Sequence, residues 1–442
     1  MTATARQQPR EEPEALHLLF AGGALTAALA AGFSLGILLA LARTGVGDLG
    51  ERWPALVQAH GHAQLAGWAG LFVMGMAYRL LPRFAGAPPV PFVPALVSLA
   101  ATASGLAIRV LGQPLATGQV GALAIRASAA LELAGAVVFA ALLLPALRQG
   151  LTQGRPFAPH LAAAVAWLVA VKALGMAWTP AAGPGPLLVP FDRQQLLHDA
   201  MLLGFVLSAV VGVSLRTVVI FFGRPQPRPP AVWGLWLPLH LGLALHAAAA
   251  AWTTYRPWEG AARAEAAGLL LAGLGLAGAA LLVGPWRPPH RLRDAARGAG
   301  LLVQVAVAWL GLGGLLLSAV GAMAVADGGP VPHARVDAAR HLLAVGAVTT
   351  MILGMAYLVM PAFALSRQQG RPQRWAVALA LACLPAAAVM RTAGGWLSGE
   401  TEAADHLTAT AGVLAWLAVA AFAVALGLAL RARRGVPLPG GR

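Results

Sequence analysis

The sequence contains few charged residues. Asp, Glu, Lys and Arg make up 11% of its 442 residues, whereas hydrophobic residues make up 59%. A soluble domain of this length needs a smaller apolar fraction for its core, so the composition excludes that class and indicates an all-α polytopic membrane protein. Twelve apolar runs are long enough to cross a bilayer as helices. They cover approximately residues 16–42, 55–81, 92–112, 121–147, 160–180, 195–222, 231–252, 262–284, 299–325, 337–360, 375–396 and 405–430.

Cysteine is almost absent. The one cysteine, Cys383, lies within the eleventh apolar run. A lone thiol forms no intramolecular disulfide and cannot build a cysteine-ligated zinc or iron–sulfur site, so these classes are excluded. The Cys-x-x-Cys-His signal for covalent haem attachment is also missing, so any haem must be non-covalent.

Lysine is nearly absent as well, and the net charge of +15 comes from arginine. The arginines do not form one basic stretch, so no nucleic-acid partner is expected. The termini and every second loop are rich in arginine and hold few acids, whereas the alternate loops hold as many acids as arginines. Because positive loops stay in the cytoplasm, we expect both termini to be cytoplasmic. The expected location is the cytoplasmic (inner) membrane of a bacterium, where lipid surrounds the protein.

One motif occurs twice in the chain, and a looser copy lies between the two. The copies are His62-x4-Gly67-x7-Gly75-Met76-Ala77-Tyr78-x3-Pro82, His198-x5-Gly204-x7-Gly212, and His341-x4-Gly346-x7-Gly354-Met355-Ala356-Tyr357-x3-Pro361. Successive copies are four spans apart, which predicts three four-helix repeats. The repeat units cover approximately residues 16–147, 160–284 and 299–431 of a single transmembrane domain, residues 1–442.

Four histidines are expected at one depth in the membrane. With the termini inside, His62, His198 and His341 all fall in the outer half of their spans, and His246 on the seventh span lies at the same depth. A histidine within a span is costly, and it either packs through a hydrogen bond or binds something. The convergence favours a metal or haem centre. His62 and His341 are flanked by small residues, and we expect them to ligate haem b.

His60 cannot serve the same centre as His62, because residues two apart on a helix point about 200° away from each other. The repeat aligns His62 with the histidine of the third copy, so His60 is left for a second centre or a hydrogen bond. His198 and His246 are expected to form a copper site, since imidazoles suit copper. His240 is a further candidate ligand, although it does not face the same way as His246.

Buried or semi-buried cations supply further candidate residues. Arg391 and Arg340 are expected to bind haem propionates because a guanidinium matches a carboxylate; the alternative is that they reach lipid headgroups. Lys172 is the only lysine in the chain. It either acts as a ligand or forms a structural ion pair with Glu132 or Asp199.

Two segments resemble a known family. The segment that begins His60-Gly-His-Ala-Gln-Leu-Ala-Gly-Trp, and the segment from His341 to Gly354, resemble the NnrS family of haem- and copper-containing membrane proteins linked to nitric oxide. The first segment also resembles subunit I of the haem–copper oxidases. The resemblance implies a haem–copper-oxidase-like bundle that binds haem and copper. It also implies a role in nitric oxide response, detoxification or related redox chemistry.

Departures from the oxidase pattern narrow the function. Ala339 stands where oxidases have a second histidine, span 7 lacks an adjacent histidine pair, and Leu202 occupies the tyrosine position. Reduction of oxygen to water is therefore not expected, while a nitric-oxide-related oxidoreductase stays open. The alternative is a secondary transporter with 12 spans whose histidines bind protons or substrate. Transporters commonly show two-fold repeats, so the three-fold pattern favours haem.

The arginine bias generates a testable topology. In a chain whose Cys383 is replaced by serine, a cysteine introduced at Arg224 should react only with membrane-permeant reagents, and one at Pro184 should react from outside. External labelling at Arg224 would place the motif histidines in the inner half of the membrane and contradict the expected depth.

Overall fold

The chain folds as a bundle of long helices. The computed structural model describes residues 16–183, 185–255, 260–284, 296–363 and 372–434, and these contain helices and turns but no strand. Pro184, chosen for labelling, lies outside the described residues. Twelve helices are long and apolar enough to span a membrane. They are α1 (Leu16–Arg43), α2 (Gly50–Ala85), α3 (Phe92–Leu115), α4 (Gly118–Thr152), α5 (Ala158–Ala177), α6 (Phe191–Phe221), α7 (Pro229–Trp252), α8 (Ala261–Val283), α9 (Arg297–Asp327), α10 (His333–Val359), α11 (Arg374–Trp396) and α12 (Glu402–Arg431).

The all-α class and the twelve spans are thus confirmed. Each apolar run of the sequence coincides with one helix to within a few residues at each end. The runs are visible in the sequence because hydrocarbon requires about 20 apolar residues to carry a helix across.

The three helices that carry the repeated motif lie at the centre of the bundle. We compared the most apolar 18-residue stretch of each spanning helix. The share of this stretch that is buried within the protein is 72% in α2, 83% in α6 and 89% in α10, against 33–61% in the other described spans. The central helices also touch one another: Trp68 of α2 donates its indole N–H to the hydroxyl of Thr349 of α10, 3.2 Å away. The motif histidines are therefore in the interior and not on the lipid face.

The motif glycines let each central helix approach the helix that precedes it. A Cβ atom at the first glycine of each copy would lie too close to a side chain: 2.6 Å from Ala27 of α1 at Gly67, 2.6 Å from Trp167 of α5 at Gly204, and 2.9 Å from Trp309 of α9 at Gly346. The second glycine meets the same preceding helix, at Phe20 for Gly75, Leu161 for Gly212 and Val303 for Gly354. These glycines serve close helix packing.

A π-helical segment follows the histidine in every copy of the motif. The segments are Ala63–Leu71 in α2, Ala200–Leu207 in α6 and Leu342–Thr349 in α10. Such widened turns are rare in proteins and occur frequently at functional sites. The same irregularity therefore recurs at the same motif position in all three central helices.

The packing role of the glycines predicts a stability effect. A methyl group at Gly75 would overlap Phe20 Cβ, so Gly75→Ala should lower the thermal unfolding midpoint in detergent, with an overpacking cost of about 1–3 kcal/mol. Gly427→Ala in α12 is the matched control, because nothing lies within 4 Å of a Cβ there. Equal midpoints for the two variants would contradict the packing argument.

Candidate functional site

A large cavity lies between the three central helices and α1, α11 and α12. Its volume is about 430 Å³, and its wall is mostly apolar. Four histidines line it: His60, His198 and His341, one from each central helix, and His333 at the first residue of α10. Small-molecule and cofactor pockets usually have volumes of roughly 300–1,000 Å³ with a few polar groups in an apolar wall. The cavity therefore has the size and lining of a ligand site.

His60 is held by α1. Its Nδ1 lies 2.7 Å from the carbonyl oxygen of Gly32, and its ring packs so closely against Gly36 that a Cβ there would be 2.8 Å from His60 Cε1. Because a carbonyl can only accept, Nδ1 carries the proton and donates it. Nε2 then keeps its lone pair. This arrangement is typical of a histidine that ligates a metal.

His341 has the same tautomer through a different partner. Its Nδ1 lies 2.9 Å from the carbonyl oxygen of Asp337 one turn earlier and 3.3 Å from the Asp337 carboxylate. The other carboxylate oxygen of Asp337 accepts a hydrogen bond of 2.6 Å from Arg391. Nε2 of His341 is therefore left with its lone pair, and α11 helps to fix the ring. The sequence analysis missed Asp337, although its i, i+4 spacing from His341 was the available signal.

His198 differs from these two histidines. The side-chain amide nitrogen of Gln194 lies 2.7 Å from His198 Nε2, so Nε2 accepts a hydrogen bond. The ring also lies directly on α2, where a Cβ at Gly61 would be 2.6 Å from His198 Nε2. The glycine between His60 and His62 is thus what allows α6 to approach.

His62 does not line the large cavity. Its Nε2 lies 2.6 Å from a carboxylate oxygen of Glu132, whose other oxygen accepts from Lys172. Of the two ion-pair alternatives for Lys172, the pair with Glu132 is confirmed. His62 and His341 were expected to share a centre, but His60 is the residue that faces α10. His60 and His62 point in different directions from α2, as predicted, and of the two only His60 lines the large cavity.

The histidines expected at the copper site are not gathered around one point. His246 Nε2 lies 3.1 Å from the Asp199 carboxylate and its Nδ1 lies 3.3 Å from the carbonyl of Glu265. His240 packs against His160 and Trp236, with ring centroids 5.5 and 4.8 Å away. Within the described ranges, no group of three or more His, Cys, Asp or Glu residues is arranged to hold a metal. Copper at His198 and His246 stays a prediction.

The two predicted arginines both line the large cavity. Arg340 donates hydrogen bonds from Nε and Nη2 to the Asp199 carboxylate, at 2.6 and 2.5 Å. Its Nη1 donates to the side-chain oxygen of Gln195. Among the described residues, Arg391 donates one hydrogen bond, from Nη2 to Asp337. Arg391 therefore has more donors left for a ligand, while Arg340 ties α10 to α6.

A smaller cavity of about 60 Å³ lies on the other side of His198. His62, Glu132, Lys172 and Arg109 line it. The two cavities share three wall residues, which are Gly61, Leu65 and His198.

Comparison with known proteins agrees with the resemblance of the two motif segments. No curated protein matches the chain. The model of the NnrS protein family matches residues 14–434, which include all twelve spanning helices. On that match over nearly its whole length, the chain belongs to the NnrS family.

Proposed function

We propose that this protein binds haem b non-covalently in the large cavity, where His60 and His341 would hold the iron, and that it acts in the response to nitric oxide or its detoxification. The observation that carries the proposal is the matched pair of imidazoles. Both line one apolar cavity, and both donate Nδ1–H to a backbone carbonyl, which leaves Nε2 available. Membership of the NnrS family supports the link to nitric oxide.

The residues of the cavity fit such a group. The apolar wall suits a macrocycle, and Arg391 keeps donors for a carboxylate at the cavity edge. When bound, haem would supply a redox-active iron, at which nitric oxide would bind by replacing one of the two imidazoles. The chain itself orients the ligands: the Gly32 carbonyl fixes His60, and Asp337 together with Arg391 fixes His341.

Assignment of His60 as a ligand replaces the alignment-based choice of His62. The motif aligns His62 with His341, but Nε2 of His62 already faces Glu132 at 2.6 Å. A ligand role for His62 through Nε2 would require this bond to break, and His62 does not line the large cavity. His60 needs no such change.

The wider architecture belongs to the same proposal. Each motif helix packs its glycines on the preceding helix, and a π-helical segment follows each motif histidine. These recurrences support three four-helix units arranged like the bundle of the haem–copper oxidases. The proposed location is the cytoplasmic membrane of a bacterium with both termini inside.

The ligand assignment predicts the behaviour of three variants. Protein purified from haem-replete cells should give a b-type pyridine haemochrome spectrum, and His60→Ala and His341→Ala should each lower bound haem at least about tenfold, since each removes one of the two residues that would hold the iron. His62→Ala, two residues away on the same helix, is the matched control and should keep its haem. If His62→Ala loses its haem and His60→Ala keeps it, His62 is the ligand, as the alignment of the repeated motif predicted. Haem-free wild-type protein would leave the secondary transporter as the better function.

The role in nitric oxide chemistry is tested separately. Reduced wild-type protein exposed to nitric oxide should show a shifted haem absorption spectrum, and cells that lack the protein should become more sensitive to nitric oxide. The His60→Ala, His341→Ala double variant should show no spectral shift with nitric oxide and should not restore nitric oxide resistance to cells that lack the protein. His62→Ala should show the spectral shift and restore the resistance. A haem that never binds nitric oxide, with no growth defect on deletion, would argue for electron transfer instead.

A further inference from the structure

The smaller cavity carries more positive than negative charge. It lies between α2, α3, α4, α5 and α6, and its charged wall residues are Arg109, Lys172 and Glu132. Two basic side chains thus face one carboxylate. The imidazoles of His62 and His198 can only add positive charge. A net charge inside a membrane bundle is costly unless a counter-ion balances it.

Arg109 has a buried donor that none of the described residues satisfies. Its side chain is deeply buried, with 7% of the residue exposed, and none of the described residues accepts a hydrogen bond from its Nε. Glu132 is the carboxylate in the same wall, but its two oxygens already bind His62 and Lys172. A buried donor left over in this way calls for an additional acceptor such as an ion.

The size of the cavity limits what that acceptor is. A cavity needs roughly 10–15 Å³ for one water molecule, so about 60 Å³ accommodates only a few atoms. Water would fill the space but would not balance the charge. Lys172 has three N–H donors and gives one of them to Glu132. Together with Arg109, it therefore offers several donors to a small anion.

We propose that this cavity is a binding site for a small monovalent inorganic anion, of the size of chloride, nitrite or nitrate, held by Arg109 and Lys172. The site goes beyond the proposed haem function and does not depend on it, because neither His60 nor His341 lines this cavity. A carboxylate of a larger cofactor in the large cavity has the same acceptor chemistry as a small anion. It is the alternative occupant of this site, because the two cavities share a wall.

The test uses the purified full chain in detergent and chloride-free gluconate buffer. Thermal unfolding midpoints are measured while chloride, nitrite or nitrate replaces gluconate at constant ionic strength. The midpoint should rise and saturate with at least one small anion, because a ligand of the folded state stabilises it by mass action. Equilibrium dialysis with radioactive chloride should show one saturable site.

Two variants locate the site. Arg109→Met should weaken anion binding at least about tenfold, as expected for the loss of a charge-assisted hydrogen bond, and Lys172→Met should weaken it as well. Arg126→Met is the control, since Arg126 is exposed on α4 and lies outside the cavity wall. If Arg109→Met does not fold, Arg109→Lys keeps the charge and should bind the anion more weakly than wild type.

The outcomes separate this proposal from its alternatives. Equal midpoints in gluconate and in all three small anions, with no bound chloride, would overturn it. So would a saturable effect that appears only in the haem-free His60→Ala, His341→Ala variant, because a cofactor carboxylate would then occupy the site. Saturable binding that Arg109→Met abolishes supports the anion site even if the protein proves to lack haem.

Discussion

The interior of this protein depends on one constraint: hydrocarbon offers no water to a polar group, so every ionisable side chain in the bundle needs a partner from another helix. Three clusters meet this need. Arg340 of α10 binds Asp199 of α6, which also faces His246 of α7. Glu132 of α4 joins His62 of α2 to Lys172 of α5. In the third cluster, Asp337 connects its own helix to α11 through Arg391. Each cluster therefore fixes the rotation of a central helix.

Those fixed rotations decide which histidine enters the large cavity. The sequence predicted that His60 and His62 diverge, because the helical period gives the angle between two residues on one helix. It could not predict which of them faces α10, because that depends on how α2 is rotated within the bundle. The contacts of His60 with Gly32 and of His62 with Glu132 set this rotation. Both partners are distant in sequence, and no local pattern marks them.

Other features were predictable to different degrees. The spans follow from hydropathy alone, and the repeated motif lies on the three most buried of the described spans. The motif glycines were ambiguous at the sequence level, because a small residue suits both a cofactor slot and a close helix contact. The structure resolves this in favour of helix contact at Gly67 and Gly346. The large cavity could not be predicted, since its wall is assembled from six helices.

Gly61 allows His198 to lie between the two cavities. Because it has no side chain, the ring of His198 rests on α2 and forms part of the wall of both cavities. Gly61, Leu65 and His198 form the wall that the two cavities share. A change of charge on one side is therefore felt strongly on the other, since electrostatic interactions are poorly screened in such an interior. His198 is thus placed to couple the electrical state of the two chambers.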